Sequence, residues 1–262
     1  MHTLEESNWQ EETLGQSLML DREERFIVKA FDCRPDGGIK TNALMQYLQE
    51  AAACHAEQLG VGFADMNRRN YFWVLANLQL EILREPKWMD CLTIRTWPSG
   101  YTRLIAAREF VGTTSDGTEL FRAGSEWMVL DRQSGRPQNL TRLELRLPPA
   151  GPKLLSGPLH RLKTAQGYVK ANVLEVPFSA LDFNGHVNNT EYIRWALDGL
   201  YQYLGRLPEI HVAHVTYLAE VFQGDKIEIL VAPTGNGRVD ILERRVQDPA
   251  GGDDACLVEI DY

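Results

Sequence analysis

Cysteine is scarce and unpatterned in this 262-residue chain. Cys33, Cys54, Cys91 and Cys256 are scattered, with no C-x-x-C spacing. That excludes the usual disulfide framework or zinc site and predicts reduced, mostly buried thiols. No run of 18 apolar residues occurs, so no membrane-spanning helix is expected. The N-terminus is polar and acidic (Glu5, Glu6, Glu11, Glu12) and lacks the basic and apolar regions of a signal peptide, which predicts a cytoplasmic protein. No G-x-S-x-G is present, so a covalent serine route lacks its usual signature. Positive charge is in deficit, with 27 Lys and Arg against 36 Asp and Glu, a formal net charge of −9. That balance argues against nucleic acid as a partner. An acidic protein partner would need a local basic patch. Arg68-Arg69, Arg132 with Arg136, Arg142 with Arg146, and Arg161 with Lys163 are candidate sources, each read first as plain solvated surface.

The composition is otherwise that of a globular protein, 44% hydrophobic and 24% charged. Leu147–Pro158 holds four prolines and two glycines and forms no regular element. It divides the chain into residues 1–147, a linker at 148–163, and 164–262. The two sides resemble each other. The first opens with a strand over Arg25–Phe31, a turn at Arg34–Gly38, and a helix capped near Thr41 or Asn42. The apolar face of that helix is Leu44, Tyr47, Leu48, Ala51, Ala52, His55 and Leu59, and Gly60 ends it. Strands follow at 71–83, 91–97, 103–113 and 118–130, separated by turns that include Pro98-Ser99-Gly100. The second side repeats this order, with a strand near 168–176, a turn at 182–186, a helix over 190–204 stopped by Gly205, and four more strands. Gly38 and Gly185, like Asn42 and Asn189, stand 147 positions apart. Glu85 and Glu220, Asp90 and Asp225, and Pro98 and Pro233 stand 135 apart. Two constant offsets with matched element order indicate duplication. The fold class is α+β, one long helix on a twisted antiparallel sheet made twice, with the sheets joined edge to edge or packed together.

The most informative stretch is Asp182-Phe183-Asn184-Gly185-His186-Val187-Asn188-Asn189. If it is extended, Asp182, Asn184 and His186 share one face while Phe183 and Val187 point to the core. Asn188 or Asn189 reads as a helix N-cap, with Glu191 in the first turn. Turn and cap chemistry alone account for the asparagines. They do not account for acid, amide and imidazole on one face beside a helix N-terminus, an arrangement suited to a developing negative charge. At the 147-residue offset these three fall opposite Pro35, Gly37 and Ile39, so the polar set belongs to the second copy only. Water attack on an acyl group, with Asp182 as the local carboxylate, is the economical chemistry.

The duplicated helix-plus-sheet order and the motif L-D-F-N-G-H-V-N-N-T-E-Y at 181–192 resemble the acyl-acyl-carrier-protein thioesterase family, from about residue 20 to 262. Trp73-Val74-Leu75, Arg84–Asp90 and Trp127–Asp131 resemble further parts of it. The resemblance implies a tandem double hotdog whose first half shapes an acyl tunnel and whose second half is catalytic. It implies a catalytic set of Asp182, Asn184 and His186, with Glu220 from the following strand. It also implies hydrolysis of fatty acyl-acyl-carrier protein to free fatty acid by carboxylate-activated water, with no cofactor and no metal. Plant members carry a cysteine beside this Glu. Here Val221 stands there, which excludes a thiol nucleophile at that position. Glu220 is preferred as base, with Asp182 orienting the amide or the water. Leu44, Leu48, Ala52, Leu75 and Leu78 are tunnel candidates that read equally as core. An acyl-CoA thioesterase of the same fold and a non-catalytic acyl-binding regulatory protein are the rival readings. A monomer and a homodimer both fit a chain that is already a pseudo-dimer.

Among weaker signals, His211 and His214 fall on opposite faces of a strand and do not form a metal pair. His55 reads as a hydrogen-bonded core histidine. Gly235-Asn236-Gly237 reads as a hairpin turn.

Overall fold

A computed structural model describes residues 20–262 apart from 146, 156–158, 183–184 and 248–250. The first half contains β1 (Arg22–Ile27), α1 (Thr41–Gln58), α2 (Phe63–Arg68), β2 (Tyr71–Ile82), β3 (Cys91–Tyr101), β4 (Ala106–Thr113) and β5 (Glu119–Asp131). The second contains β6 (Val169–Glu175), α3 (Asn189–Leu204), β7 (Val212–Tyr217), β8 (Lys226–Gly235), β9 (Arg238–Gln247) and β10 (Gly251–Asp261). All ten strands form one sheet, in the order β1-β3-β4-β5-β2-β7-β10-β9-β8-β6. Its two halves mirror each other, and the expected edge-to-edge join is the antiparallel β2–β7 pair.

The seam carries its own proof of duplication. Gln79 lies directly opposite His214, and the two are 135 positions apart. These two therefore face their own counterparts, as on the axis of a two-fold dimer, and the flanking pairs Leu78–Val215 and Leu80–Ala213 are related by it. The 135 offset recurs in the loops that follow. Leu83 and Arg84 N–H both bond Leu120 C=O, as Leu218 and Ala219 bond Ala255.

The upstream offset is 148, not 147. The bridge Cys33–Ile39 recurs as Leu181–Val187, and α1 begins at Thr41 where α3 begins at Asn189. Gly37 and Gly185 hold the same left-handed place in their turns, at φ 84° and 79°. A Gly-Gly pair in the first copy hid the one-residue slip. Other boundaries shift too. Phe31 leaves the first strand for a 3-10 turn, and Lys40, not Thr41 or Asn42, precedes α1, without a side-chain cap. Pro98–Gly100 is a bulge inside β3 rather than a turn, because the strand bends there without leaving its partner β4. The short helix α2 has no counterpart in the second half and was not foreseen.

Helices α1 and α3 touch each other and bury their apolar faces on the sheet. On α3, Ile193, Ala196 and Leu200 are fully covered and Leu204 packs at the edge. Each large aliphatic side chain so buried contributes about 1.5–3 kcal/mol. His211 precedes β7 and is exposed, whereas His214 lies within the strand and is buried. The His214 ring meets His160 edge-on at 4.9 Å. Burial first, then the neighbouring His160 and Arg238, push its pKa down to about 4. Folded His214 stays neutral, while the unfolded chain takes up a proton near 6.5. Stability from this group is therefore complete above 6.5 and is lost as pH falls toward 4. Urea unfolding between pH 7 and 5 should show this loss, on the order of 3 kcal/mol at its full extent. His214→Gln should flatten that slope, and an unchanged slope would contradict the account.

Candidate active site

The motif is a closed turn, not an extended segment. Asp182 N–H bonds His186 C=O at 2.8 Å and Gly185 N–H bonds Asp182 C=O at 3.0 Å. Asp182 Oδ1 accepts from His186 N–H at 3.3 Å. A tight turn, not strand alternation, brings Asp182 and His186 together. Phe183 and Asn184 lie outside the described residues. Val187 is buried, as expected, and anchors the exit of the turn.

Helix α3 starts straight after the turn. Asn188 is its cap, and its Oδ1 accepts from Thr190 N–H at 2.9 Å. Tyr217 Oη donates to Asn189 C=O at 3.0 Å, and Gln46 of α1 donates to Thr190 Oγ1 at 3.2 Å. The α3 N-terminus is thus fixed by β7 and by the other half. Glu191 in the first turn pairs with Arg194 and complements the helix dipole.

Glu220, just beyond β7, places Oε1 3.7 Å from His186 Nδ1. That exceeds a hydrogen bond but lies within direct electrostatic reach. Both side chains are partly open to solvent, at 44% and 34%. The His186 ring packs edge-on to Phe222 at 5.7 Å and lies 6.2 Å from Phe72 of the first half. Asp182, His186 and Glu220 therefore converge at the seam between halves.

The structural offset pairs Asp182 with Arg34 and His186 with Gly38, so the first copy is not blank. Arg34 grips Glu85, the counterpart of Glu220, through Nη1–Oε1 at 2.5 Å and Nη2–Oε2 at 2.8 Å. It also bonds Asp36 at 3.0 Å and Ile39 C=O at 3.0 Å. The guanidinium pKa is raised by the Glu85 hydrogen bonds, against a smaller opposing effect of burial. A Cβ at Gly38 would run into the Glu85 carboxylate, so no side chain like His186 fits. The same position is a locked ion pair in one copy and an accessible acid-imidazole pair in the other.

A cavity of about 500 Å³ runs between α1, α2 and the first-half sheet. Ala52, Ala53, Ala56, Phe63, Met66 and Trp127 line it, and it reaches Asp182, Asn188 and Asn189 of the second half. Of the tunnel candidates only Ala52 lines it. Leu44, Leu48, Leu75 and Leu78 are fully buried core and do not line it. One lining residue escaped sequence reasoning. Arg108 of β4 donates to His55 Nδ1 at 3.0 Å and Thr96 Oγ1 at 3.1 Å, with no carboxylate partner among the described residues. Burial pushes its pKa down to about 10. Its signal was a cation in strand phase with the buried Phe110. His55 is fully buried, the hydrogen-bonded core histidine expected.

The model of the acyl-ACP thioesterase N-terminal domain matches residues 20–144, and that of the C-terminal domain matches 163–262. The chain belongs to the acyl-ACP thioesterase family. Within it, the crystal structure of an acyl-ACP thioesterase from Bacteroides thetaiotaomicron superimposes with a TM-score of 0.81 at 24% identity, over 92% of this chain and 97% of that one. A 12:0-ACP thioesterase from Umbellularia californica gives 0.77 at 20% identity, over 92% and 96%. These likenesses confirm the α+β tandem double hotdog. Oleoyl-acyl carrier protein thioesterase 2, chloroplastic, from Arabidopsis thaliana is 28% identical over 226 residues, 79% of this chain and 61% of that protein. A palmitoyl-acyl carrier protein thioesterase, chloroplastic, from Gossypium hirsutum is 28% identical over 191 residues, 67% of this chain and 46% of that protein. The chain spans less than two thirds of the length of these curated relatives. No helix among the described residues is long and apolar enough to cross a membrane.

If the first-half turn is purely structural, Glu85→Ala should lower unfolding free energy by about 1.5–3 kcal/mol, the worth of a hydrogen bond to a charged group. It should leave the rate of the hydrolysis proposed below unchanged. A loss of kcat in a still-folded variant would place Glu85 in the chemistry instead.

Proposed function

We propose that the protein hydrolyses the thioester of fatty acyl-acyl-carrier protein, releasing free fatty acid and holo-carrier protein. One observation carries this reading. The Asp182–His186 turn and Glu220 meet at the seam, where the cavity built by the first half ends on the α3 N-terminus. Family membership supports the same reaction. In this reading residues 1–147 hold the acyl chain, 148–163 link, and 164–262 carry the catalytic groups.

Glu220 takes a proton from water, and the hydroxide oxygen attacks the thioester carbonyl carbon. Negative charge on the carbonyl oxygen is held by the Asn184 amide, by His186 and by backbone N–H groups at the α3 N-terminus. A preorganised donor of this kind is worth about 3–4 kcal/mol in the transition state. The tetrahedral intermediate collapses and the C–S bond breaks. Protonated Glu220 returns its proton to the thiolate of the departing phosphopantetheine arm, and the carboxylic acid formed releases its own proton to solvent and leaves as a carboxylate. Asp182 orients the amide or the water. Glu220 suits the role of base because its only ion-pair partner among the described residues is His186, whereas Glu85 is neutralised by Arg34. The seam joins the halves within one chain, so the site needs no second copy.

Hydrolysis of a panel of acyl-carrier-protein and acyl-CoA thioesters tests the reading. Glu220→Gln should cut kcat by about 10²–10⁴-fold, the usual contribution of a general base. His186→Ala should also cut kcat, and Asp182→Asn, made separately, tests the division between carboxylates. Near-full kcat in Glu220→Gln would remove it as base, and no turnover of any thioester by the intact protein would end the proposal. Ala52→Leu and Ala56→Leu should shift preference toward shorter acyl chains by filling the cavity. An unaltered chain-length profile would show that the chain lies elsewhere.

A further inference from the structure

Three sequence segments whose arginines read separately as solvated surface meet at one corner of the first half. Arg68 and Arg69 end α2, and Asn70 C=O accepts from Arg132 N–H at 2.9 Å. Arg136 C=O accepts from Asp131 N–H at 3.1 Å, closing the turn after β5. Arg69 Nη1 donates to Leu143 C=O at 3.2 Å, beside Arg142. Leu140 N–H bonds Arg103 C=O at 2.9 Å, bringing in a sixth arginine. All six are exposed. The neighbouring carboxylates are Asp65, which pairs with Arg68, Asp131, which accepts from the Ser134 backbone and side chain, and Glu144. A chain of net charge −9 thus presents a locally positive corner.

The corner borders the site. Arg132 lies over the rings of Phe63 and Phe72, at 6.0 and 5.1 Å, and lines the cavity that reaches Asp182. Phe72 is in turn the first-half neighbour of the His186 ring. The fourth basic pair, Arg161 and Lys163, sits elsewhere, around a separate smaller cavity with His160 and Tyr168. At physiological salt, fields fade within about 8 Å, so a partner in contact responds to the local corner and not to the overall charge. Arginine forks suit carboxylate and phosphodiester groups, which they bind through paired N–H donors.

We propose that this arginine corner is the docking surface for the acidic face of an acyl carrier protein, positioning its phosphopantetheine arm toward Asp182 and His186. The proposal rests on the thioesterase reading above. The test is the triple variant Arg68→Glu, Arg136→Glu, Arg142→Glu, with the triple lysine variant as a charge-conserving control. Kinetics are measured with one acyl group on carrier protein, on coenzyme A and on pantetheine, at low and high salt. Charge reversal should raise KM for the carrier substrate about tenfold or more at low salt, with kcat held. The effect should shrink at high salt and in the lysine variant, and acyl-pantetheine turnover should not change. Unchanged KM for the carrier substrate in an active protein would overturn docking alone. So would an equal loss with acyl-CoA, which would assign the corner to the phosphates of the arm, or with acyl-pantetheine, which would make it structural. A wild-type protein inert toward every thioester would sink the thioesterase reading and this proposal with it.

Discussion

The β2–β7 pairing is the contact on which everything else depends. Five residue pairs, Asn77–Thr216 through Glu81–Val212, turn two small sheets into one. A half of this size is marginal alone, and the seam removes one exposed edge from each half. It also places the α3 N-terminus of one half at the end of the cavity made by the other. The Gln46–Thr190 bond and the Phe72–His186 ring contact exist only because the seam sets that register. A slip of one residue along β2 would carry every inward side chain to the wrong face and move the cavity away from Asp182.

The halves share a path but not an interior. Ala52, Ala53 and Ala56 line the cavity along α1. The positions 148 further on are Leu200, Tyr201 and Leu204 of α3. Small residues leave room beside the first helix, whereas in the second Leu200 is fully buried and Leu204 packs against the core. α2 adds Phe63 and Met66 to the cavity wall, using the longer helix-to-strand connection that only the first half has. On the second-half sheet, Glu243 is wholly buried opposite Cys256, and burial raises its carboxyl well above the usual range. There the interior carries a buried acid. In the first half, Arg108 donates to His55 and Thr96. The larger of the two cavities described thus lies in the first half, with a cation in its wall.

Much of this was legible in the sequence because it rests on periodicity and punctuation. The helix faces, the Gly60 and Gly205 stops, the Asn188 cap and the 135 offset follow from residue type and spacing. The turn at Gly235–Gly237 is present as expected, with positive φ at all three residues. Misses fell where backbone hydrogen bonds decide. The turn at 182–186 looks like alternation, but Asp182 N–H closes on His186 C=O, and a closed turn has no alternating faces. The duplication register slipped by one because two adjacent glycines, Gly37 and Gly38, compete for one left-handed position. Residues that line a cavity and residues that fill a core obey the same apolar pattern. Sequence therefore put Leu44, Leu48, Leu75 and Leu78 alongside Ala52, and only the packed structure separates them. The arginine corner is a product of tertiary contact between segments about 30–70 residues apart, which no local pattern encodes.

The corrected register sharpens the argument for a one-sided site. Glu85 and Glu220 are the same residue in the same place after β2 and β7, so the strand geometry alone does not make a base. What differs is the partner supplied by the preceding turn. In the first copy Arg34 spans the carboxylate with two short bonds and Gly38 keeps the space above it clear. A carboxylate held that way has both oxygens engaged by the guanidinium. In the second copy an Asp replaces the Arg and a His replaces the Gly. The acid there meets an imidazole at 3.7 Å and solvent on its open side. Exchanging two residues in a turn of five replaces an Arg–Glu staple with an acid–imidazole pair open to solvent. The first half retains the staple and opens a cavity beside α1 instead.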